Sequence, residues 1–557
     1  MSFPLGFYRT LYKNTLDDIF LNKLINCKTE RMLDKQKMIC RVLVLALCIS
    51  GCASVDKYNA QINTVRNEKD LKTDVDYIRH KLEKLHPDLY HYISKEQLDY
   101  KFDSLKSSLT GPMTSNEFFF KLSPVIASIK QGHTQTFPLT KKLKSTEKKA
   151  VFLRGQSPLN QFDLELFNNR LYIVKNYSKD STIKAGTEIR TMNATPPQDI
   201  IAAYRNTFAS DGYNTTFINR RLAKSFPRFF YYRYGVMDSI VCELNYRDST
   251  RTVTLKRPEK SKTVTAKKPI KLTVQEKQKQ KAESQKRRLQ GYDALKKMYS
   301  KQLSFPTKDS SIAILKIADF TKGAYKQFYK KSFQQLDSLH TKDLIIDLRD
   351  NTGGRLREIH NLYSYLADSC FRLVEKSEVC SKTSLWHFGY YHDRPLWQKV
   401  IQTAFFPIVA GVDGYTYLKI KKGSDNKYRF AFKESRLAHP KVNRFKGKVY
   451  VLINGGCFSA SCLLSSNLQG SKRAFFVGQE TGGSDNGCVA GIMPVRTLPK
   501  AKLKVSFGLL VCKAPYQSKV DGRGIFPDVE ITPTVQDRIN GTDPELQWVL
   551  NDIKSAH

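Results

Sequence analysis

The chain has 557 residues, 41% hydrophobic and 26% charged, and 92 Lys+Arg against 52 Asp+Glu give a formal charge of +40. The hydrophobic share excludes a wholly disordered polymer, and 21 prolines with 29 glycines exclude a collagen-like or low-complexity one. At roughly 150 residues per domain, the length predicts about three or four domains with a substantial core.

A single apolar run, Ile39 to Cys52, follows Lys35 and Lys37 and carries Arg41 at its edge. It is too short to span a bilayer comfortably, which excludes a polytopic membrane protein, and its basic flank reads as an export signal. A buried amphipathic helix of a cytoplasmic domain is the competing reading. The ending Ile49-Ser50-Gly51-Cys52 resembles a bacterial lipobox. That resemblance implies lipid on Cys52 and loss of everything before it. Residues 1–51 are therefore expected to be a signal segment, with translation starting at Met32 or Met38, and 52–69 a lipidated cysteine and tether. Ala53 stands where an aspartate accompanies inner-membrane retention in some bacteria, so the outer membrane is favoured.

The cysteines beyond the lipobox are Cys242, Cys370, Cys380, Cys457, Cys462, Cys488 and Cys512. An exported compartment permits disulfides, but no pairing follows from the sequence, and no CxxC spacing suggests a metal. Most are expected to be small buried residues. The positive charge raises nucleic acid as a partner, yet no zinc finger, RNA-binding aromatic motif or phosphate loop is present, so none is expected. An anionic envelope surface and a merely lysine-rich composition remain as alternatives.

Residues 70–149 read as helices. Leu71, Val75, Ile78, Leu82 and Leu85 recur at helical steps, and Thr114 with Glu117 forms a capping box. The helix that follows turns Phe118, Leu122, Val125, Ile126 and Ile129 inward, and Gly132 is expected to end it in a left-handed conformation. His133 then falls just past a helix end. Residues 150–257 read as short strands, at 162–166, 170–174, 187–189 and 251–255. The stretch Ile183 to Asn193 resembles a turn and strand of PDZ domains, which implies a PDZ-like module. Residues 258–302 are lysine- and glutamine-rich, a basic linker or a solvated helix. From 303 to 557, apolar strands at 312–317, 344–348, 448–453 and 474–478 alternate with helices, which predicts a mostly parallel sheet covered on both faces. The insertion from about 370 to 440, with Trp386, Tyr390, Tyr391 and Trp397, carries no readable motif.

The chemistry is expected where these strands end. In Val451 to Ser461 a buried strand meets Gly455 and Gly456, and Ser459 then opens a helix. A serine there stands clear of the backbone, beside free amides and the positive end of a helix dipole, which suits an oxyanion. Capping the helix is the equally ordinary role for such a serine. Further glycine turns follow strands at Asp347 to Gly354 and at Gly478 to Gly483. The three turns are expected to gather at one edge of the sheet.

These segments, with Gly132-His133-Thr134 and Gly524 to Val529, together resemble the tail-specific (C-terminal processing) serine peptidases, and their tricorn-like branch in particular. The resemblance implies an α/β protein: a crotonase-like spiral βαβ core, a helical N-terminal region and a PDZ-like, β-rich module. It places the nucleophile at Ser459 and the base at His133. Ser484 stands where dyad-using members have lysine. The oxyanion would be held by amides of Ala460 and of Gly353 or Gly354. A carboxylate orienting the base is carried over onto Asp521, with Glu480 in reserve and an ordinary turn aspartate as the alternative. His133 as a simple helix-end residue also stays open. No cofactor or metal is implied. The expected function is an exported, lipid-anchored serine endopeptidase acting on polypeptides. The alternative is a catalytically inactive relative serving as a peptide-binding envelope scaffold.

Overall fold

The computed structural model describes residues 55–148, 155–258, 273–294, 298–321, 323–387 and 406–556. The signal segment, Cys52, Tyr390, Tyr391 and Trp397 lie outside the described residues. Among the described residues no helix is long and apolar enough to cross a membrane.

The N-terminal region is helical, as its periodicity dictates. Helix Glu68–Leu85, capped by the Asn67 side chain, buries Leu71, Val75, Ile78, Leu82 and Leu85. Helix Ser115–Ala127 opens on the Thr114/Glu117 capping box and buries Phe118, Leu122 and Ile126. The expectation for Gly132 needs correcting. The left-handed residue after this helix is Lys130, with φ 56°. Gly132 is required for space instead, since a Cβ there would sit 2.5 Å from the Phe458 ring.

The β-rich module is a five-stranded antiparallel sheet whose strands, Phe162–Phe167, Arg170–Asn176, Thr187–Met192, Ser239–Tyr246 and Ser249–Lys256, lie in chain order. Two helices, Pro197–Arg205 and Thr216–Tyr234, fill the connection between its third and fourth strands. The lysine-rich segment contains a solvated helix, Val274–Gln290, with no buried residue and left-handed Gly291 at its end.

The core of the C-terminal half is a six-stranded sheet in the order Lys301–Ser304, Ile312–Ile317, Asp343–Asp347, Lys448–Ile453, Phe475–Gly478, Val529–Glu530. Only the first pair is antiparallel. The central stretches of its inner strands, such as Leu344, Ile345 and Ile346 or Val449 to Ile453, are continuously apolar because both faces are covered. Ile345, Tyr450, Leu452 and Val477 pack against Val549 and Ile553 of the C-terminal helix Pro544–Ala556. Leu344, Ile346, Val449, Val451 and Phe476 join the larger core on the other side.

The 370–440 insertion contributes strands Ser377–Val379, Ile420–Lys422 and Tyr428–Phe430 to a second five-stranded sheet, completed by Leu510–Cys512 and Cys488–Ala490. Cys242, Cys457, Cys462, Cys488 and Cys512 are free and buried.

An ion-pair cluster joins the end of strand Asp343–Asp347 to the C-terminal helix. The Arg349 guanidinium bonds Asp347 at 3.0 Å and both carboxylate oxygens of Asp543 at 2.7 and 2.8 Å. Arg349 and Lys316 hold the buried Asp347 carboxyl well below the usual range. Substituting Arg349→Met takes the guanidinium from Asp347 and leaves it the Lys316 ammonium at 2.9 Å and the backbone amide of residue 349 at 3.1 Å. Removing one partner of a buried pair is expected to cost about 3 kcal/mol, to be read as a lower melting temperature at pH 7.

Candidate active site

The nucleophile candidate owes its position to an interlocked pair of loops. Cys457 Sγ donates to the Leu348 carbonyl at 2.9 Å, the Asn454 side chain accepts from Asp350 N–H, and Ser461 Oγ donates to the Asn351 carbonyl. The third glycine turn closes the group, because the amides of Gly482 and Gly483 both donate to the Cys457 carbonyl. All three glycine turns therefore meet at one edge of the sheet, as expected.

Ser459 precedes helix Ala460–Gly470 with φ 58° and ψ −122°. Such a conformation costs a non-glycine residue on the order of 1–3 kcal/mol and persists only where surrounding contacts impose it. The Ser459 side chain makes no cap hydrogen bond. Its Oγ instead lies 3.1 Å from His133 Nε2. The helix-cap alternative for Ser459 and the helix-end alternative for His133 are both absent from this arrangement.

His133 comes from the N-terminal region, and three contacts fix it against the distant C-terminal half. The strand that follows it, Gln135–Phe137, pairs with Lys504–Ser506. Upstream, the buried Asp74 carboxylate accepts the amides of Lys500 and Ala501. The imidazole packs on the Phe458 ring at 4.9 Å between centroids. Burial, helped by the nearby Arg221 charge, lowers His133 to about 4. The ring is thus neutral at physiological pH and its Nε2 is free to accept a proton.

The two carboxylates expected behind His133 are elsewhere. Asp521 Oδ2 bonds His91 Nε2 at 2.7 Å, and the other nitrogen of His91 meets Asp88 at 3.1 Å. Asp521 lies in a neighbouring pocket of about 180 Å³ with Tyr92, Gln131 and Lys513. Glu480 is held by Arg523 and by the Gly524 amide. Neither touches His133, because each is satisfied by a basic partner close to its own turn.

Gly353 also requires a correction as an oxyanion donor. Its N–H donates to Asn351 Oδ1 at 2.8 Å, an Asx-type turn that occupies the amide. The bridge between Phe320 and Gly354 uses the Gly353 carbonyl and the Arg355 amide, which leaves the Gly354 N–H outside it. Ala460 opens its helix, so its N–H has no intrahelical acceptor. Gly353 matters for its missing side chain. A Cβ there, at φ +91°, would lie 2.6 Å from the Phe458 carbonyl oxygen and 2.7 Å from Ala460 N.

Among the described residues, one group of histidine, cysteine and carboxylate donors is tight enough to share an ion. A ring nitrogen of His133, an oxygen of Asp211 and Cys488 Sγ lie within 4.8 Å of one another. With His133 Nε2 already facing Ser459, the group reads first as the surroundings of the base. Asp211 escaped the sequence reading because it stands 78 positions from His133 in a stretch with no motif.

Residues 311–531 match the model of peptidase family S41. This segment belongs to peptidase family S41. The chain is accordingly a serine-type peptidase, with the α/β fold of that family. Among solved structures, mature CPAF aligns with a TM-score of 0.55 and 14% identity, covering 86% of this chain and 96% of its own. Mature CPAF complexed with lactacystin gives 0.55 and 14%, covering 86% and 97%. The photosystem II D1 C-terminal processing protease gives 0.40 and 14%, covering 84% and 96%. At such identity the two CPAF likenesses speak to fold alone. No curated protein matches the chain significantly. The S41 segment holds Ser459 and all three glycine turns, while His133 lies outside it.

Proposed function

We propose that the protein is an exported, lipid-anchored serine endopeptidase in which Ser459 is the nucleophile and His133 the general base. The observation that carries this reading is the 3.1 Å approach of His133 Nε2 to the Oγ of a serine held at positive φ. His133 takes the hydroxyl proton as Ser459 attacks a peptide carbonyl, and the imidazolium returns it to the leaving amine. The tetrahedral oxyanion is held by the amides of Ala460 and Gly354, aided by the helix dipole. Water, activated by the same imidazole, then releases the acyl group from Ser459.

Export and the anchor rest on the run from Ile39 to the lipobox-like Ile49-Ser50-Gly51-Cys52, and the outer membrane on Ala53. The formal charge of +40 suits an anionic envelope surface.

The test is a fluorophosphonate probe applied to the purified protein, with intact mass and peptide mapping as readout. One adduct on Ser459, absent from Ser459→Ala and His133→Ala, is the expected result. A folded wild-type protein that takes no label would turn the assignment toward a peptide-binding scaffold. An adduct that survives His133→Ala would leave a serine hydrolase with a different base.

A further inference from the structure

The base in this arrangement has nothing visibly holding its far side. His133 Nδ1 is buried and has no hydrogen-bond partner, and Asp211 Oδ2 makes no well-formed hydrogen bond either, although the Ser484 amide lies close enough to favour the ionised carboxyl. Two orphaned buried atoms of complementary chemistry, an imidazole nitrogen and a carboxylate oxygen, belong to side chains whose donor atoms lie within 4.8 Å. Each orphan is costly by itself, and each is the partner the other lacks.

We infer that Asp211 is the positioning residue of the catalytic centre, its Oδ2 accepting the Nδ1–H of His133 directly or through one bridging water. The inference rests on the Ser459–His133 reading above. The carboxylate fixes the tautomer that leaves Nε2 bare toward Ser459. It also stabilises the imidazolium that forms when the serine proton moves to Nε2. No proton passes to Asp211; the Nδ1–H bond is kept throughout.

The segment carrying Asp211 is built to hold it still. Asp211 Oδ1 accepts the Gly132 amide at 2.8 Å, immediately before His133 in the chain. Gly212 N–H donates to the Lys130 carbonyl and Tyr213 N–H to that of Gly522. Ser210 Oγ donates to the Gly482 carbonyl at 2.6 Å, and Asn214 Nδ2 to that of Thr481 at 2.7 Å. One short stretch is thus bolted to both the loop of the base and the third glycine turn, so a small side-chain adjustment, or one water, completes the contact.

Other charged and titratable groups face this pair. Arg221 acts on His133 from helix Thr216–Tyr234, while Cys462, Cys488 and Tyr92 face Asp211. Burial pushes both thiols and the phenol upward, so they stay neutral near pH 7. Burial also raises Asp211 to about 7. The productive form requires ionised Asp211 and neutral His133. The contact with His133 favours the ionised carboxyl and so moves Asp211 below that value, and labelling by a fluorophosphonate should quicken as pH rises through the range in which Asp211 ionises.

The deciding experiment measures the fluorophosphonate labelling rate against pH for the wild-type protein and for Asp211→Asn. Asparagine keeps the Oδ1 acceptor for Gly132, so melting temperature should change little. The rate should fall roughly 10²- to 10⁴-fold. The limb that reports Asp211 ionisation should vanish from the residual reaction. Asp211→Glu should recover part of the rate. An Asn variant that labels within about threefold of wild type overturns the inference while leaving the serine–histidine reading intact. A wild-type protein that takes no label at Ser459 overturns both.

Discussion

Peptide hydrolysis by Ser459→Ala and by His133→Ala should each fall by on the order of 10⁴- to 10⁶-fold, and the double variant should be no worse than the more damaged single one. In the proposed mechanism the two atoms, 3.1 Å apart, act as one unit, so removing either would remove the whole proton transfer. The residual rate belongs to substrate binding and the Ala460 amide. Initial rates on an unfolded protein substrate supply the check, with KM recorded separately. Losses that multiply in the double variant would mean that the two side chains act independently, contrary to the shared hydrogen bond.

The second large effect is expected at a residue with no functional group. Gly353→Ala should destabilise the fold by about 2–5 kcal/mol, combining a left-handed backbone penalty with overpacking against fixed atoms. The clash is with the Phe458 carbonyl and the Ala460 amide nitrogen, both backbone, so no side chain can swing away. Relief must come from movement of the nucleophile turn, and fluorophosphonate labelling should fall further than unfolding alone explains. Gly411→Ala provides the control, since a Cβ there meets nothing within 4 Å. Urea unfolding alongside labelling at a temperature where the variant is folded separates the two contributions.

The sequence makes Ser459 and His133 legible because their signals are local. A buried strand, paired glycines and a helix start announce the serine, and a capping box followed by a helix end locates the histidine. The parallel sheet is equally plain, since runs such as Leu344, Ile345 and Ile346 are apolar on both faces. Hydrogen-bond partners carry no such signature. Asp521 looks like an orienting carboxylate only until His91, 430 positions away, is seen to hold it. Gly353 looks like a donor until the Asn351 side chain folds back on its amide. Asp211 has no motif at all, and its relation to His133 exists only because Ser210 and Asn214 dock on the 481–483 turn. Gly132 likewise reads as a helix stop, and only packing shows that it makes room for the Phe458 ring.

The 326 positions between His133 and Ser459 also set when the enzyme first exists. Strand Gln135–Phe137 cannot find its partner until Lys504–Ser506 has been made, so a chain emerging from a ribosome or a translocon carries a serine without its base. Hydrolytic power arrives last, on closure of a loop longer than most domains. A cut in the solvated helix Val274–Gln290 would leave His133 and Ser459 on different fragments, joined only by strand pairing, hydrogen bonds and packing. Any hydrolysis that needs His133 beside Ser459 therefore waits until the C-terminal half has folded.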